Sequence, residues 1–170
     1  MTIAPCASPR LPCLALPLSR TIALDLGKAR VGVAVDDELG LMAHPRGVLP
    51  AKDRAALLAS IARVAREEGA GRIVVGLPVD MRGHEGDAAK NARAMAQFIA
   101  DATGLDVELW DERMTTQVAA RALASSEVRG KKAKGHIDEA SAVAILQSWL
   151  DARAHARNES RQAAKPPRDE

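Results

Sequence analysis

The stretch 21-TIALDLGKARVGVAVDD-37 decides the fold. Residues 21–26 and 31–36 are runs of small and β-branched side chains. The turn 27-GKAR-30 between them predicts an antiparallel hairpin. Along the first strand, alternation puts Ile22, Leu24 and Leu26 on one face and Ala23 and Asp25 on the other. An acid near the carboxyl end of a strand stands where open α/β sheets bind their ligands. Asp25 has an equally good local explanation, as a turn residue accepting backbone hydrogen bonds from the 27–30 loop.

Working outward, a third strand is expected within 39-LGLMAHPRGVL-49, weakened by Pro45. From Asp53 to Glu68, Leu57, Leu58, Ile61, Val64 and Ala65 recur at helical spacing, with Asp53 as N-cap and Gly69 as stop. The continuous apolar centre of 72-RIVVGLP-78 suits a strand covered on both faces. After the loop 79-VDMRGHEG-86, a second amphipathic helix spans about 87–103 and ends at Gly104. A strand at 106–110, a helix at 115–128 and a last helix at about 137–152 complete the series. Three antiparallel strands followed by βαβ crossovers give an α/β protein: a mixed five-stranded sheet with helices on both faces.

Composition agrees with one domain. The 170 residues are 47% apolar and 27% charged, with a net charge of +2. So small a net charge leaves nucleic-acid binding to local basic clusters. The cysteines Cys6 and Cys13 lie in the N-terminal segment without companions for a metal site, and reducing cytoplasm is the expected location. No Lys or Arg precedes Arg10, and Pro9, Pro12 and Pro17 break the apolar patch 11-LPCLALPL-18, which therefore reads poorly as a secretory signal. Residues 1–19 read as a disordered extension, 20–152 as the folded domain and 153–170 as a disordered tail. No membrane span is expected, and monomer or homodimer stays open.

Two further acidic positions matter. In 110-WDERMTT-116, Asp111 and Glu112 leave a strand at its carboxyl edge, although either suits the dipole of a following helix. Asp138 lies at the predicted start of the last helix, where the same dipole explanation applies. Taken jointly, Asp25, Glu112 and Asp138 converge on one edge. Clustered carboxylates raise one another's pKa unless a cation neutralises them. Oxygen donors of this kind suit Mg²⁺ or Mn²⁺, and two such ions serve phosphodiester cleavage.

The segments 23-ALDLGKARVGVAVDD-37, 74-VVGLPVDMRGHEG-86, 110-WDERMTT-116 and 138-DEASAVAILQSWLD-151 resemble, in order, the YqgF (RuvX) family. These are Holliday-junction-resolvase-like proteins assigned as nucleases of the 5′ end of pre-16S ribosomal RNA. The resemblance implies a ribonuclease-H-like fold and a metal-dependent endonuclease. It places the family's acidic positions, catalytic and metal-holding, on Asp25, Glu112 and Asp138. Precursor rRNA is the implied substrate; four-way DNA, or a non-cutting RNA- or ribosome-associated role, is the alternative.

Cations stand near each acid. Lys28 and Arg30 follow Asp25, Arg113 follows Glu112, and 129-RGKKAKGH-136 brings Lys131, Lys132 and Lys134 up to Asp138. Each can bind a phosphate, while an ion pair for Arg113 and a merely solvated loop for the lysines are the plainer readings. Arg82 and His84 are further candidates at the groove. With only Phe98, Trp110 and Trp149 as aromatics, recognition is expected to rest on phosphate and shape rather than on base stacking. A sugar-kinase or actin-type ATP site needs a second related domain, and no P-loop spacing is present.

Overall fold

The computed structural model describes residues 19–79, 85–112 and 133–163, with the side chains of 133–138 and 161–163 outside the description. The hairpin is β1 (Arg20–Leu26) and β2 (Arg30–Asp36), and β3 (Ala43–Pro50) follows. Then come α1 (Arg54–Glu67), β4 (Ala70–Leu77), α2 (Asp87–Thr103) and β5 (Asp106–Asp111). The last described helix, α3, runs Ala133–Ala163. The strands form one sheet in the order β3-β2-β1-β4-β5. β1, β2 and β3 pair antiparallel, whereas β1, β4 and β5 run parallel. The mixed five-stranded sheet of the sequence reading is present.

Alternation along each strand sorts the core into two layers. Ile22, Leu24, Val33, Val35, Ile73 and Val75 pack with Leu57 and Ile61 of α1 and Ile99 of α2. On the opposite face, Ala23, Ala34 and Val74 lie under Ala142, Ile145, Leu146 and Trp149 of α3. Small side chains on the sheet meet large ones on the helix there, which lets α3 sit close. Ile22, Ala23 and Leu24 of the central strand are wholly buried, as are Ile73, Val74 and Val75 beside them.

The helix ends follow local chemistry. Asp53 caps α1, its side chain accepting the Ala55 and Ala56 amides at 2.9 and 3.4 Å. Gly104 adopts φ +70° after α2 and donates its amide to the Ala100 carbonyl at 2.8 Å. Pro45 is tolerated because β3 is an edge strand, where a register shift against Val33 and Ala34 leaves Arg46 without a partner in the ladder.

Two expectations need correction at α3. The helix begins at Ala133 and not near 137, so Asp138 is not in its first turn, which holds no acid. It also continues to Ala163, past the expected end at about 152. The segment 151-DARAHARNESRQA-163 is rich in Ala and Arg and has no Gly or Pro, so nothing stops a helix already begun. The expected helix at 115–128 lies outside the described residues.

At the amino edge, ion pairs clamp strands to α1. The Glu68 carboxylate accepts Arg20 of β1 at 2.9 Å and also Arg46 of β3. Arg46 further reaches Glu67 at 3.4 Å. Asp36 accepts the Thr21 amide at 2.8 Å, closing the open end of the hairpin. The hydrogen bond from Arg46 is the main cause holding the Glu68 carboxyl below its ordinary 4.5, aided by the charges of Arg46 and Arg20 against a cost of burial.

A lowered folded value means that Glu68 stabilises the fold above pH 4.5 and that this stability is lost as pH falls through the lowered value. Glu68→Gln is therefore expected to cost about 1 kcal/mol at neutral pH. The difference from wild type should shrink on acidification, as read by urea unfolding at a series of pH values.

Candidate active site at the carboxyl edge

The parallel strands β1, β4 and β5 end at a common edge, and the chain leaves β1 and β4 in opposite directions across the sheet. Such a switch point opens a crevice at the carboxyl ends of the strands. Asp25 lies at this edge. Its neighbour across the antiparallel ladder is Gly32, and on the parallel side the position after the Leu24–Val75 pair is Gly76. A carboxylate is thus flanked by two residues without side chains.

Gly76 is a point of close packing in the site. A Cβ built there would meet Ile145 Cδ1 of α3 at 2.6 Å and Glu112 Oε1 at 2.7 Å. The Glu112 carboxylate therefore rests on the backbone of β4, on the α3 face that Asp25 shares. Burial pushes the Glu112 carboxyl above its ordinary 4.5, and the negative charges of Asp25 and Asp111 push it further. Asp25 and Glu112 are brought within electrostatic reach of each other. Asp111 contributes charge, but alternation along β5 sends its side chain to the other face.

The hairpin turn also depends on close approach. A Cβ on Gly27 would lie 2.5 Å from the Arg30 carbonyl oxygen. The Gly27 amide donates to the Asp25 carbonyl at 3.2 Å, so the tight turn uses the backbone of Asp25. Lys28 projects from this turn, exposed and lining the crevice, and Arg30 is half-buried at the start of β2.

α3 crosses the sheet with its earlier residues toward this edge. Ile145 stands over Gly76, whereas Trp149, Leu150 and Arg153 border a cavity with Ser19, Thr21 and Arg72 at the opposite edge. Trp110 Nε1 donates to Ser148 Oγ at 3.1 Å, and the Gln147 side chain accepts the Ala43 amide at 3.0 Å, fixing the helix lengthwise. Asp138 occupies the α3 position one turn before Ala142, which is wholly buried against the sheet. The side chains of Asp138 and Lys134 fall outside the description, as do Arg113, Lys131, Lys132, Arg82 and His84 altogether. Gly32 and Gly76 escaped the sequence reading, although a glycine inside a strand is itself a signal of close approach.

The sheet order, the two helical layers and the acid-bearing carboxyl edge define a protein of ribonuclease-H-like fold. In fold it is similar to the RuvC resolvase of Thermus thermophilus solved with a Holliday junction substrate. That likeness has a TM-score of 0.56 at 16% identity and covers 81% of this chain and 96% of the other. The family RuvX, described as Holliday junction resolvase, matches residues 19–152, and the chain belongs to it. Relatives in Anaeromyxobacter sp. (strain Fw109-5) and Myxococcus xanthus (strain DK1622) are 45% and 43% identical. They cover 79% and 78% of this chain and 98% and 88% of their own lengths, and each bears the name "Putative pre-16S rRNA nuclease".

Gly76→Ala is expected to displace the Glu112 carboxylate or Ile145. Stability should fall by about 1–3 kcal/mol, the usual cost of overpacking. Nuclease activity should fall more steeply than the folded fraction explains, measured by cleavage rate against circular-dichroism melting. Unchanged activity would mean that the seat of Glu112 on β4 is immaterial.

Proposed function

We propose that the chain is a divalent-metal-dependent endonuclease that processes the 5′ end of precursor 16S ribosomal RNA in the cytoplasm, with 20–152 as its catalytic domain. The observation that carries this reading is the placement of Glu112 against Gly76, beside Asp25, at the carboxyl edge of the sheet. The names of the relatives in Anaeromyxobacter and Myxococcus supply the substrate. Among the described residues, no helix is long and apolar enough to cross a membrane.

The donor set suits a hard cation. Two carboxylates that repel each other in a partly buried crevice favour a positive ion between them, and their oxygens match Mg²⁺ or Mn²⁺. Asp25 and Glu112 would hold it, with Asp138 supplied from α3. Once bound, one or two such ions would stabilise charge on the phosphate and make water a better nucleophile at neutral pH. The chain's own contribution is orientation. Glycines at 32 and 76 let the strand backbones crowd the acids, and α3 closes one side against bulk water. Lys28 and Arg30 on the hairpin, with Arg113 and Lys131, Lys132 and Lys134, hold the phosphate backbone across the edge.

Wild type with Mg²⁺ or Mn²⁺ should cut precursor rRNA in preference to a four-way DNA junction. Asp25→Asn should slow cutting at least about a hundredfold, the scale seen when one group stabilising transition-state charge is removed. Equal cutting by wild type and Asp25→Asn would overturn the reading. Preferential cutting of the junction would transfer the same chemistry to branched DNA.

Replacing Lys131, Lys132 and Lys134 together by alanine should make binding less sensitive to salt. The slope of log affinity against log salt should become shallower by about 2, at about 0.7 for each phosphate contact with a single strand. Fluorescence anisotropy of a labelled RNA across a salt series reads this directly.

A further inference from the structure

A cleft of about 520 Å³ opens on the α1 and α2 side of the same edge, within the size range of small-molecule sites, about 300–1,000 Å³. Its walls include Leu26, Leu57 and Met95, and its rim carries Lys28, Arg54 and Asn91. Glu112 and Gly76 line it too, so the cleft is continuous with the carboxylate site.

Arg54 gives this cleft a chemistry of its own. Its guanidinium lies 4.6 Å above the ring centroid of Phe98, an exposed aromatic on α2. The cation–π contact restrains the guanidinium, itself a planar group, at the rim of the cleft. Such planes stack on unpaired bases. Asn91 offers both a donor and an acceptor to a base edge, and its side chain makes no hydrogen bond among the described residues. Lys28 supplies charge for the attached phosphate. Apolar walls, a cationic plane, an amide and an ammonium, with the Asp87 carboxylate as a further acceptor for base amino groups, together match one nucleotide.

We propose that this cleft takes the base of a single unstacked nucleotide of an RNA strand, next to the phosphate that the carboxylate site would hold through its cation. The inference rests on the nuclease reading and adds to it a means of selecting where the strand is cut. The scarcity of aromatics pointed away from stacking, but a single Phe–Arg pair at the right place suffices for one base.

The test is a chemical-shift titration of the full chain without divalent ions, using adenosine 5′-monophosphate, ribose 5-phosphate and a single-stranded RNA pentamer. The mononucleotide and the pentamer should shift the amides of Lys28, Arg54 and Asn91, whereas ribose 5-phosphate should shift that of Lys28 alone. The pentamer should bind at least about tenfold tighter than the mononucleotide, because the neighbouring cations add phosphate contacts. Arg54→Ala should weaken the pentamer about tenfold, the scale of one lost stacking contact. Arg54→Lys should not restore it, since an ammonium is not planar. Phe98→Ala should weaken it in the same direction, and the amide spectrum of each variant reports its fold.

Equal shifts of Arg54 and Asn91 with ribose 5-phosphate would reduce the cleft to a phosphate site and overturn the proposal. So would a mononucleotide binding as tightly as the pentamer, which would mark a free-nucleotide site. No loss in Arg54→Ala, or no shift with any probe, would also overturn it. Because no divalent ion is present, the titration is read independently of cutting, whose own failure shows only when wild type and Asp25→Asn are compared.

Discussion

The absence of a side chain at residue 76 is the constraint on which the rest depends. The space a Cβ would fill is taken from one side by Ile145 of α3 and from another by the Glu112 carboxylate. Helix packing and acid placement are therefore one steric event. If α3 lifted from the sheet, the shelter of Glu112 would go with it. If Glu112 turned away, Ile145 would lose a neighbour. Gly32 on the far side of Asp25 completes the pattern, so that the polar end of the α3 face is built from backbone and carboxylates.

This arrangement explains why an acid can end a strand that is otherwise core. Three residues before Asp25, β1 is wholly buried; at Asp25 the strand is half-exposed, and one residue later it enters the Gly27 turn. The carboxylate thus sits at the boundary between a dry sheet and an open crevice. Beside it, burial raises the energy of the ionised Glu112 without forbidding it, which is the electrostatic condition for a site that binds cations. The Arg54–Phe98 pair lies on the other flank of the same crevice, so the sheet edge separates a chemistry side from a selection side.

Much of this was legible from residue order alone. The hairpin, β4, α1 and α2 follow from alternation, from periodicity, from Asp53 as a local start and from Gly69 and Gly104 as local stops. Asp25 and Glu112 stood out as acids at strand ends. What escaped was three-dimensional. Gly76 reads as one small residue in VVGLP until α3 is laid over it. Arg54 and Phe98 are 44 positions apart in the chain and meet only because α1 and α2 pack side by side. The length of α3 is hidden in the sequence because a polar, alanine- and arginine-rich segment resembles a tail, whereas high helix propensity continuing from a docked helix keeps it wound.

The clamp of Arg20, Arg46, Glu67 and Glu68 lies at the opposite end of the strands from the acids. Arg20 and Asp25 stand five residues apart on β1, about 16 Å along an extended strand. Effects on stability at that separation add nearly independently, the usual threshold being about 10 Å. The molecule thus keeps its thermodynamic reserve at one pole and its chemistry at the other. Changes that strengthen the amino pole can absorb destabilising changes around the crevice, leaving the carboxyl pole free to diversify toward differently shaped nucleic acids while the fold persists.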